Sequence, residues 1–411
     1  MSQEDIALHR PMRLLFVVDS LHVGGAERHA VSLASSLAQQ GHHVTLACSV
    51  EGALTPLAEQ GGVEVRPLLR HLVKRRFSSA YAWKLAHLVR QGQFDLVHAH
   101  MYASDVASSC ATLGTDIPLI ITEHSEAQWR SPYARQGSRW CYARTKRVIA
   151  VSRAIRRRLT EQDGVPYERV SVIMNALPHV PELPRDTQSV LPGAFGQRPL
   201  VGVAARLQPE KGVRDFLEAA AHVLQVVPHA HFLVIGDGPL RRDLQAYAAK
   251  LSLQERVHFL GFRMDARALV GVMDVLVVPS LTEGTPLVTL EAMSAGVPVV
   301  ASAVGGIPEQ IRHFKEGVLV PASNAAALGE AVVHLLQYPW WAQALGEAGR
   351  KRVLSDFDFA SMVQETEAVY RDALGWQTRS ERTRQERDDL GGHPALVVRD
   401  AAALAFCASA R

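Results

Sequence analysis

Glu283 and Glu291 stand eight positions apart in Pro279-Ser-Leu-Thr-Glu283-Gly-Thr-Pro286-Leu-Val-Thr-Leu-Glu291-Ala-Met-Ser-Ala-Gly296. Between them Gly284 turns the chain, Thr285 can cap a helix, and Pro286 sits where a missing N–H costs nothing. The free backbone N–H groups at that helix start suit a phosphate or another anion. Carboxylates beside such a place repel the anion unless they serve another part of the same ligand. The ligand implied carries both phosphate and hydroxyls. Upstream, Ala205-Arg206-Leu-Gln-Pro-Glu-Lys211-Gly212 brings a fork and a point charge, five residues apart, to the start of a helix. Such a pair suits a diphosphate, although two solvated cations on a loop would read the same way.

Other residues could face the same ligand. Gly24-Gly25 lets the backbone come close to a bound group, or is simply a tight turn between strand and helix. Gly236-Asp-Gly238-Pro239 follows a strand and opens a helix, but Arg241 stands where a dinucleotide fingerprint has its third glycine. Gly305-Gly306 again permits close backbone approach. His98, His100, Glu123 and His124 all fall at predicted strand ends. His98 and His100 share one strand face, which makes a metal pair conceivable, but no third ligand is evident in the sequence. His124 reads as a hydrogen-bonding group for a polar ligand.

These residues need elements to hold them. Val275–Val278 is an apolar run short enough for a buried strand, and the helix after Pro286 ends at Gly296. Strands are predicted at 12–18, 44–48, 63–65, 94–100, 118–122 and 147–151, with helices at 26–40 and 80–91 between them. Pro178 to Pro199 contains five prolines and no sustained period, so it reads as a linker. Beyond it the strand–helix rhythm restarts, with strands at 200–203, 231–235, 257–259, 275–278, 297–300 and 317–320 and helices at 214–226, 241–251 and 265–273. The alternation predicts an α/β protein with two Rossmann-like parallel-sheet domains. Their loops at the strand C-termini can line a shared cleft.

A chain of 411 residues, 47% hydrophobic and 21% charged, fits two globular domains. The net charge of +3 is too small to argue for nucleic acid. Cys48, Cys110, Cys141 and Cys407 show no metal-ligand spacing and read as reduced thiols. Leu14–Val18 is too short for a signal-peptide core, so a cytoplasmic location is expected. The basic stretches Lys74–Arg76 and Arg153–Arg158 read first as solvated faces. With Trp129, Tyr133, Trp140 and Tyr142 between them, they leave room for peripheral contact with an anionic inner membrane face.

In this order and at these spacings, Gly24-Gly25-Ala-Glu27, Arg206 with Lys211-Gly212, Gly236-Asp-Gly-Pro239, Pro279-Ser280, Glu283 with Glu291 and Gly305-Gly306-x-Pro-Glu309 resemble the family-4 retaining glycosyltransferases of the GT-B fold. The resemblance runs from about Arg13 to Leu374. It implies an acceptor-side domain over 1–185, a donor domain over 186–356, and a helix over 357–375 that crosses back to the first domain. The charged tail, 376–411, reads as a solvated helix or disorder.

The same resemblance implies that a hexosyltransferase moves a sugar from a nucleotide-sugar, usually a UDP-sugar, to a glycan or lipid-linked acceptor. Arg206 and Lys211 would hold the diphosphate and Glu291 the ribose diol. Glu283, with the backbone at Gly284, Thr285, Pro286 and Leu287, would face the sugar, and His124 would meet its 6-hydroxyl. Gly24 and Gly25 would approach from across the cleft, Gly236 would belong to the donor site, and Phe262-Arg263 would lie near the nucleobase. No cofactor and no divalent metal are expected. Asp356-Phe-Asp358 spells D-x-D but reads as incidental. Ala205, Asn175-Ala-Leu-Pro and Pro321-Ala-Ser depart from the family pattern, and none removes a charge from the donor site. Two other readings stay open: a nucleotide-sugar epimerase on the same fold, and a non-catalytic nucleotide-sugar-binding protein.

Overall fold

The computed structural model describes residues 10–126, 130–178 and 199–376. Pro11 to Leu374 forms one compact body. Of a second unit, Met1–Arg10 with Gly375–Arg411, only Arg10, Gly375 and Trp376 are described. The proline-rich linker, apart from its end residues, and the charged tail from 377 onward lie outside the described residues, as do Trp129 and Cys407.

Two all-parallel sheets organise the body. The first has seven strands: β1 (Arg13–Val18), β2 (His43–Cys48), β3 (Glu64–Pro67), β4 (Leu96–His100), β5 (Leu119–Glu123), β6 (Arg147–Ala150) and β7 (Val170–Val172). They lie in the order β3-β2-β1-β4-β5-β6-β7. The second has six: β8 (Leu200–Ala204), β9 (His231–Ile235), β10 (Val257–Gly261), β11 (Val275–Val278), β12 (Val299–Ser302) and β13 (Val318–Val320). Their order is β10-β9-β8-β11-β12-β13. The central strands are apolar runs buried along nearly their whole length, as sheets covered by helices on both faces require. Helices close both sheets through one-sided apolar stripes. In the Gly25–Gln39 helix, Ala30, Val31, Leu33, Ala34 and Leu37 are buried. Behind the second sheet, Phe216 and Phe232 meet edge to face with centroids 6.0 Å apart.

Strand order reverses between β1 and β4 in one sheet and between β8 and β11 in the other. The crevices at the C-terminal ends of those strands are where open α/β sheets accept ligands. They open onto Asp19–Gly24, Met101, Ala205–Lys211 and Pro279–Glu283.

Among the described residues the final helix, Phe359–Ala373, returns to the first sheet. Tyr370 reaches His98, Glu367 reaches His42 at 3.1 Å, and Asp372 pairs with Arg147 at 2.5 Å. Asp358 caps this helix by accepting from Ser361 N at 2.8 Å, so the D-x-D run has a local task. Cys48, Cys110 and Cys141 are free.

Several local expectations need correction. The helix after Pro286 runs Leu287–Ser294 with Pro286 itself at the cap position and no side-chain cap. Thr285 does not cap it; its hydroxyl donates instead to the carbonyl of Val151. Helices at Tyr102–Ala111, Pro132–Arg144 and Arg153–Glu161 were not predicted. The run Arg153–Arg158 is no uniform solvated face. Arg158 turns inward between Glu123, at 3.2 Å, and Asp163, at 2.5 Å. Tyr142 is buried, and Arg130 lies 2.8 Å from Glu123.

Candidate active site

The Pro279–Leu287 loop leaves β11 and lies between the two sheets, held from several sides. Gly284 O accepts from Gly306 N at 2.8 Å, Thr285 O from Asn175 Nδ2 at 2.8 Å, and Pro286 O from Gln310 Nε2 at 3.1 Å. An added Cβ at Gly284 would stand 2.1 Å from His124 O, so only glycine lets these two backbones touch. Gly305, at φ +54°, is needed for the same packing, since its Cβ would fall 1.8 Å from Glu283 O. Gly305-Gly306 therefore supports the loop backbone; that accounts for the close approach read from the sequence. Glu309, in the same motif, accepts from Arg153 N at 2.9 Å and Ala154 N at 3.0 Å, capping a helix of the first half from the second.

The two carboxylates are separated in role by their partners. Glu283 Oε1 accepts from Lys211 Nζ at 2.6 Å and from Ser280 Oγ at 2.7 Å. Lys211 closes the short turn Pro209–Lys211 after β8, and Gly212 follows at φ +59° because its Cβ would meet Pro279 O at 2.0 Å. Glu291 Oε1 instead takes Arg28 Nη1 at 2.9 Å, from the helix that begins at Gly25. Arg206 stands near Gly24, where an added Cβ would come within 3.0 Å of its Nη2 and 2.2 Å of Glu27 Oε2. Gly25 has open space around it. Arg206, Lys211, Glu283, Glu291 and Gly24 are thus brought to facing strand ends.

Gly236, at φ +128°, abuts Ala205 O and ties β9 to β10 through a hydrogen bond from its N–H to Gly261 O at 2.8 Å. Phe262, half exposed, and Arg263 follow β10. Arg263 is held by Asp265, with Nε 2.7 Å from Oδ1.

On the first half the same level is lined by imidazoles. His98 uses both ring nitrogens, Nδ1 at 2.6 Å from Tyr370 Oη and Nε2 at 2.7 Å from Thr122 Oγ1. His98 thus commits both nitrogens to hydroxyls and offers neither to a His98–His100 pair in this arrangement. A different group forms: one ring nitrogen each from His29, His100 and His124 lie within 4.8 Å of one another. His100 Nδ1 is 3.0 Å from His124 Nε2. Burial lowers all four imidazoles, His124 to about 4 and His98 to about 3; neighbouring imidazoles add to the shift at His29, His98 and His100, whereas Glu123 opposes it at His124. They are uncharged at neutral pH. Asp19, at the end of β1, is raised to about 7 by burial although Ser104 N and Oγ donate to it at 3.0 and 2.8 Å.

Glu123 belongs to a separate buried ionic knot. Burial raises its pKa, but Arg130, Arg158 and the Tyr142 hydroxyl outweigh that and hold it at about 2. The other basic run also points inward in part: Lys74 Nζ lies 3.7 Å from Glu27 Oε1, and Arg75 Nη2 lies 3.0 Å from Glu210 Oε1 in the opposite half. Sequence reasoning named Glu27 only as part of a motif, with no role, and missed Arg28, His29 and Lys74 as members of this site. Glu27, Arg28 and His29 directly follow Gly24-Gly25-Ala, one turn into the helix that the glycines open.

Comparison with known proteins agrees with this fold. Residues 23–179 match the family model Glycosyltransferase Family 4, and 185–352 match Glycosyl transferases group 1. A glycogen synthase of Mycobacterium tuberculosis is 27% identical across 87% of this chain and 94% of its own length. A UDP-Gal:α-D-GlcNAc-diphosphoundecaprenol α-1,3-galactosyltransferase of Escherichia coli is 24% identical across 86% of this chain and 95% of its own. Among solved structures, HepE of Anabaena in complex with UDP-glucose superposes with a TM-score of 0.76 at 23% identity, covering 86% of this chain and 98% of that one. Both halves, the order of motifs and the fold thus converge: the chain belongs to the family-4, group 1 glycosyltransferases and has their GT-B fold.

Proposed function

We propose that the protein transfers a hexose, with retention, from a nucleotide-sugar to a hydroxyl of a glycan or lipid-linked acceptor, with a UDP-sugar as the donor. The observation that carries this reading is the Lys211–Glu283 contact of 2.6 Å at the strand-end crevice, which Glu291, paired with Arg28, and Arg206, near Gly24, also border. Lys211 has three N–H donors, so it can hold Glu283 and a phosphate oxygen together. The reaction breaks the bond from the sugar's anomeric carbon to the diphosphate, and negative charge grows on the departing phosphate. Fixed cations at Arg206 and Lys211 stabilise that charge without reorganising, which is where such sites gain most. The leaving oxygen takes the acceptor's proton, and the acceptor enters on the face that the nucleotide leaves. Glu291 accepts from the ribose diol, Glu283 and His124 face the sugar, and Phe262-Arg263 borders the base. Two similar proteins, a UDP-Gal-dependent transferase and HepE in complex with UDP-glucose, favour uridine. The two cations take the place of a divalent metal, so turnover is expected to persist in EDTA.

The test is a panel of UDP-, GDP- and ADP-sugars, with nucleotide release followed in EDTA and the product anomer assigned by NMR. Nucleotide release with a retained anomer is the expected outcome. A new sugar isomer without release would instead show an epimerase, and tight binding without turnover a binding protein. Among the described residues no helix is long and apolar enough to cross a membrane. The reading has the enzyme on the cytosolic side, meeting a lipid-linked acceptor at the surface. Failure to pellet with vesicles carrying anionic lipid would remove the peripheral contact.

A further inference from the structure

His100 Nδ1 and His124 Nε2, 3.0 Å apart, share one proton, and which ring owns it decides what His124 can do. Both rings are kept neutral by burial, so each carries a single N–H. His100 Nε2 is buried and has no hydrogen-bond partner. Were His124 the donor, the proton of His100 would sit on that Nε2 as a buried N–H with nothing to receive it. With His100 as the donor, Nε2 is a bare lone pair instead. Orphaned buried N–H groups are the rarer and costlier of the two in folded proteins.

The rest of the cluster fixes the His100 ring. Phe16 stacks on it at 5.6 Å, and His98 lies 4.1 Å away with both its nitrogens already engaged. His124 is only partly buried, and its backbone carbonyl touches Gly284.

We propose that His100 is a positioning residue: its Nδ1–H donates to His124 Nε2 and thereby holds His124 as the Nδ1–H tautomer. The free Nδ1–H of His124 is then a donor, able to reach a sugar oxygen and unable to accept from a hydroxyl. This rests on the reading of His124 as a sugar-facing residue, but the tautomer can be measured without turnover. A lone imidazole favours the Nε2–H form, so finding the other form is itself a signature of the His100 contact.

Imidazole nitrogen NMR on the full chain, with His124 assigned, reads the tautomer directly. Wild type is expected to show Nδ1–H at His124. In His100→Asn the amide nitrogen stands close to where Nδ1 was, so the tautomer and kcat are expected to stay near wild type. In His100→Phe the tautomer is expected to revert to Nε2–H. There kcat should fall about 100-fold, the scale of a misplaced contact group, with the donor KM little changed. Nε2–H at His124 in wild type would overturn the proposal, even if the Phe variant fails to fold. So would identical behaviour of the Asn and Phe variants. Stoichiometric zinc in the purified protein, lost in His29→Ala, would also overturn it, because a metal at His29, His100 and His124 takes the lone pair that the hydrogen bond needs. If no donor releases nucleotide while His124 is Nδ1–H, the tautomer stands and the transferase reading falls.

Discussion

The two sheets bring opposite chemistry to the same crevice. Strand ends of the second sheet carry charge, with Lys211 on Glu283, Glu291 on Arg28 and Arg206 beside Gly24. The first half brings the imidazoles of His29, His98, His100 and His124, all neutral, and Asp19, pushed up to about 7 and so only partly charged; Glu27, Arg28 and Lys74 are its charged members. Phosphate needs fixed cations, and cations near the surface of a crevice stay solvated enough to be affordable. On the proposed reading, sugar hydroxyls need directed donors and acceptors, which neutral rings would supply. The two chemically distinct ends of a donor would then be read by two half-sites of different polarity.

The contrast can be strained where the first half does keep a buried charge. Glu123→Gln leaves Arg130 and Arg158 facing a neutral amide, and breaking such a buried pair costs about 3–5 kcal/mol. Urea unfolding at pH 7 should show that loss; a change near zero would mean that the knot contributes no more than a neutral contact. On the charged side, Lys211→Ala should lower kcat about 10²–10³-fold while the unfolding midpoint barely moves. Activity within tenfold of wild type would remove Lys211 from the diphosphate and leave the second half without its distinguishing role.

Acid tests the neutral side. The folded pKa values of His98 and His124, about 3 and about 4, lie below the ordinary 6.5, so the unfolded chain binds protons that the folded chain refuses. Their contribution to stability is complete above pH 6.5 and declines as pH falls toward 4. Between those limits each ring removes about 1.4 kcal/mol per pH unit. Glu123 does not contribute there, since its loss begins only near its unfolded value and runs down toward 2. Asp19, raised to about 7, works against one ring across this window, because its folded carboxyl keeps a proton that the unfolded chain has released. A stability that rises as pH falls from 6.5 to 5 would show that the imidazoles are not held neutral.

Much of this was legible in the sequence because it follows from local pattern. The apolar runs of β1, β4, β8 and β11, the glycines at 24, 284 and 305, and the spacing of Glu283 from Glu291 each reflect a backbone requirement within a few residues. What escaped depends on partners far along the chain. Arg158 sits in a run of arginines that looks solvated, and only the fold reveals Glu123 beside it. Thr285 has the right type and place for a helix cap, yet Val151 O outcompetes the helix for its hydroxyl. Arg28 pairs with Glu291 across 263 positions, which no local reading could supply.

The hydrogen bond between Tyr370 and His98 also sets a schedule for synthesis. The ribosome completes the first sheet's last strand at Val172, but the residue that satisfies His98 Nδ1 emerges about 200 residues later. At elongation rates of about 5–20 residues per second that gap is roughly 10–40 s. Throughout it the underside of β4 and the helix-facing groove beside it are unfinished. Among the described residues, the last helix to leave the ribosome is the one that seals the part made first.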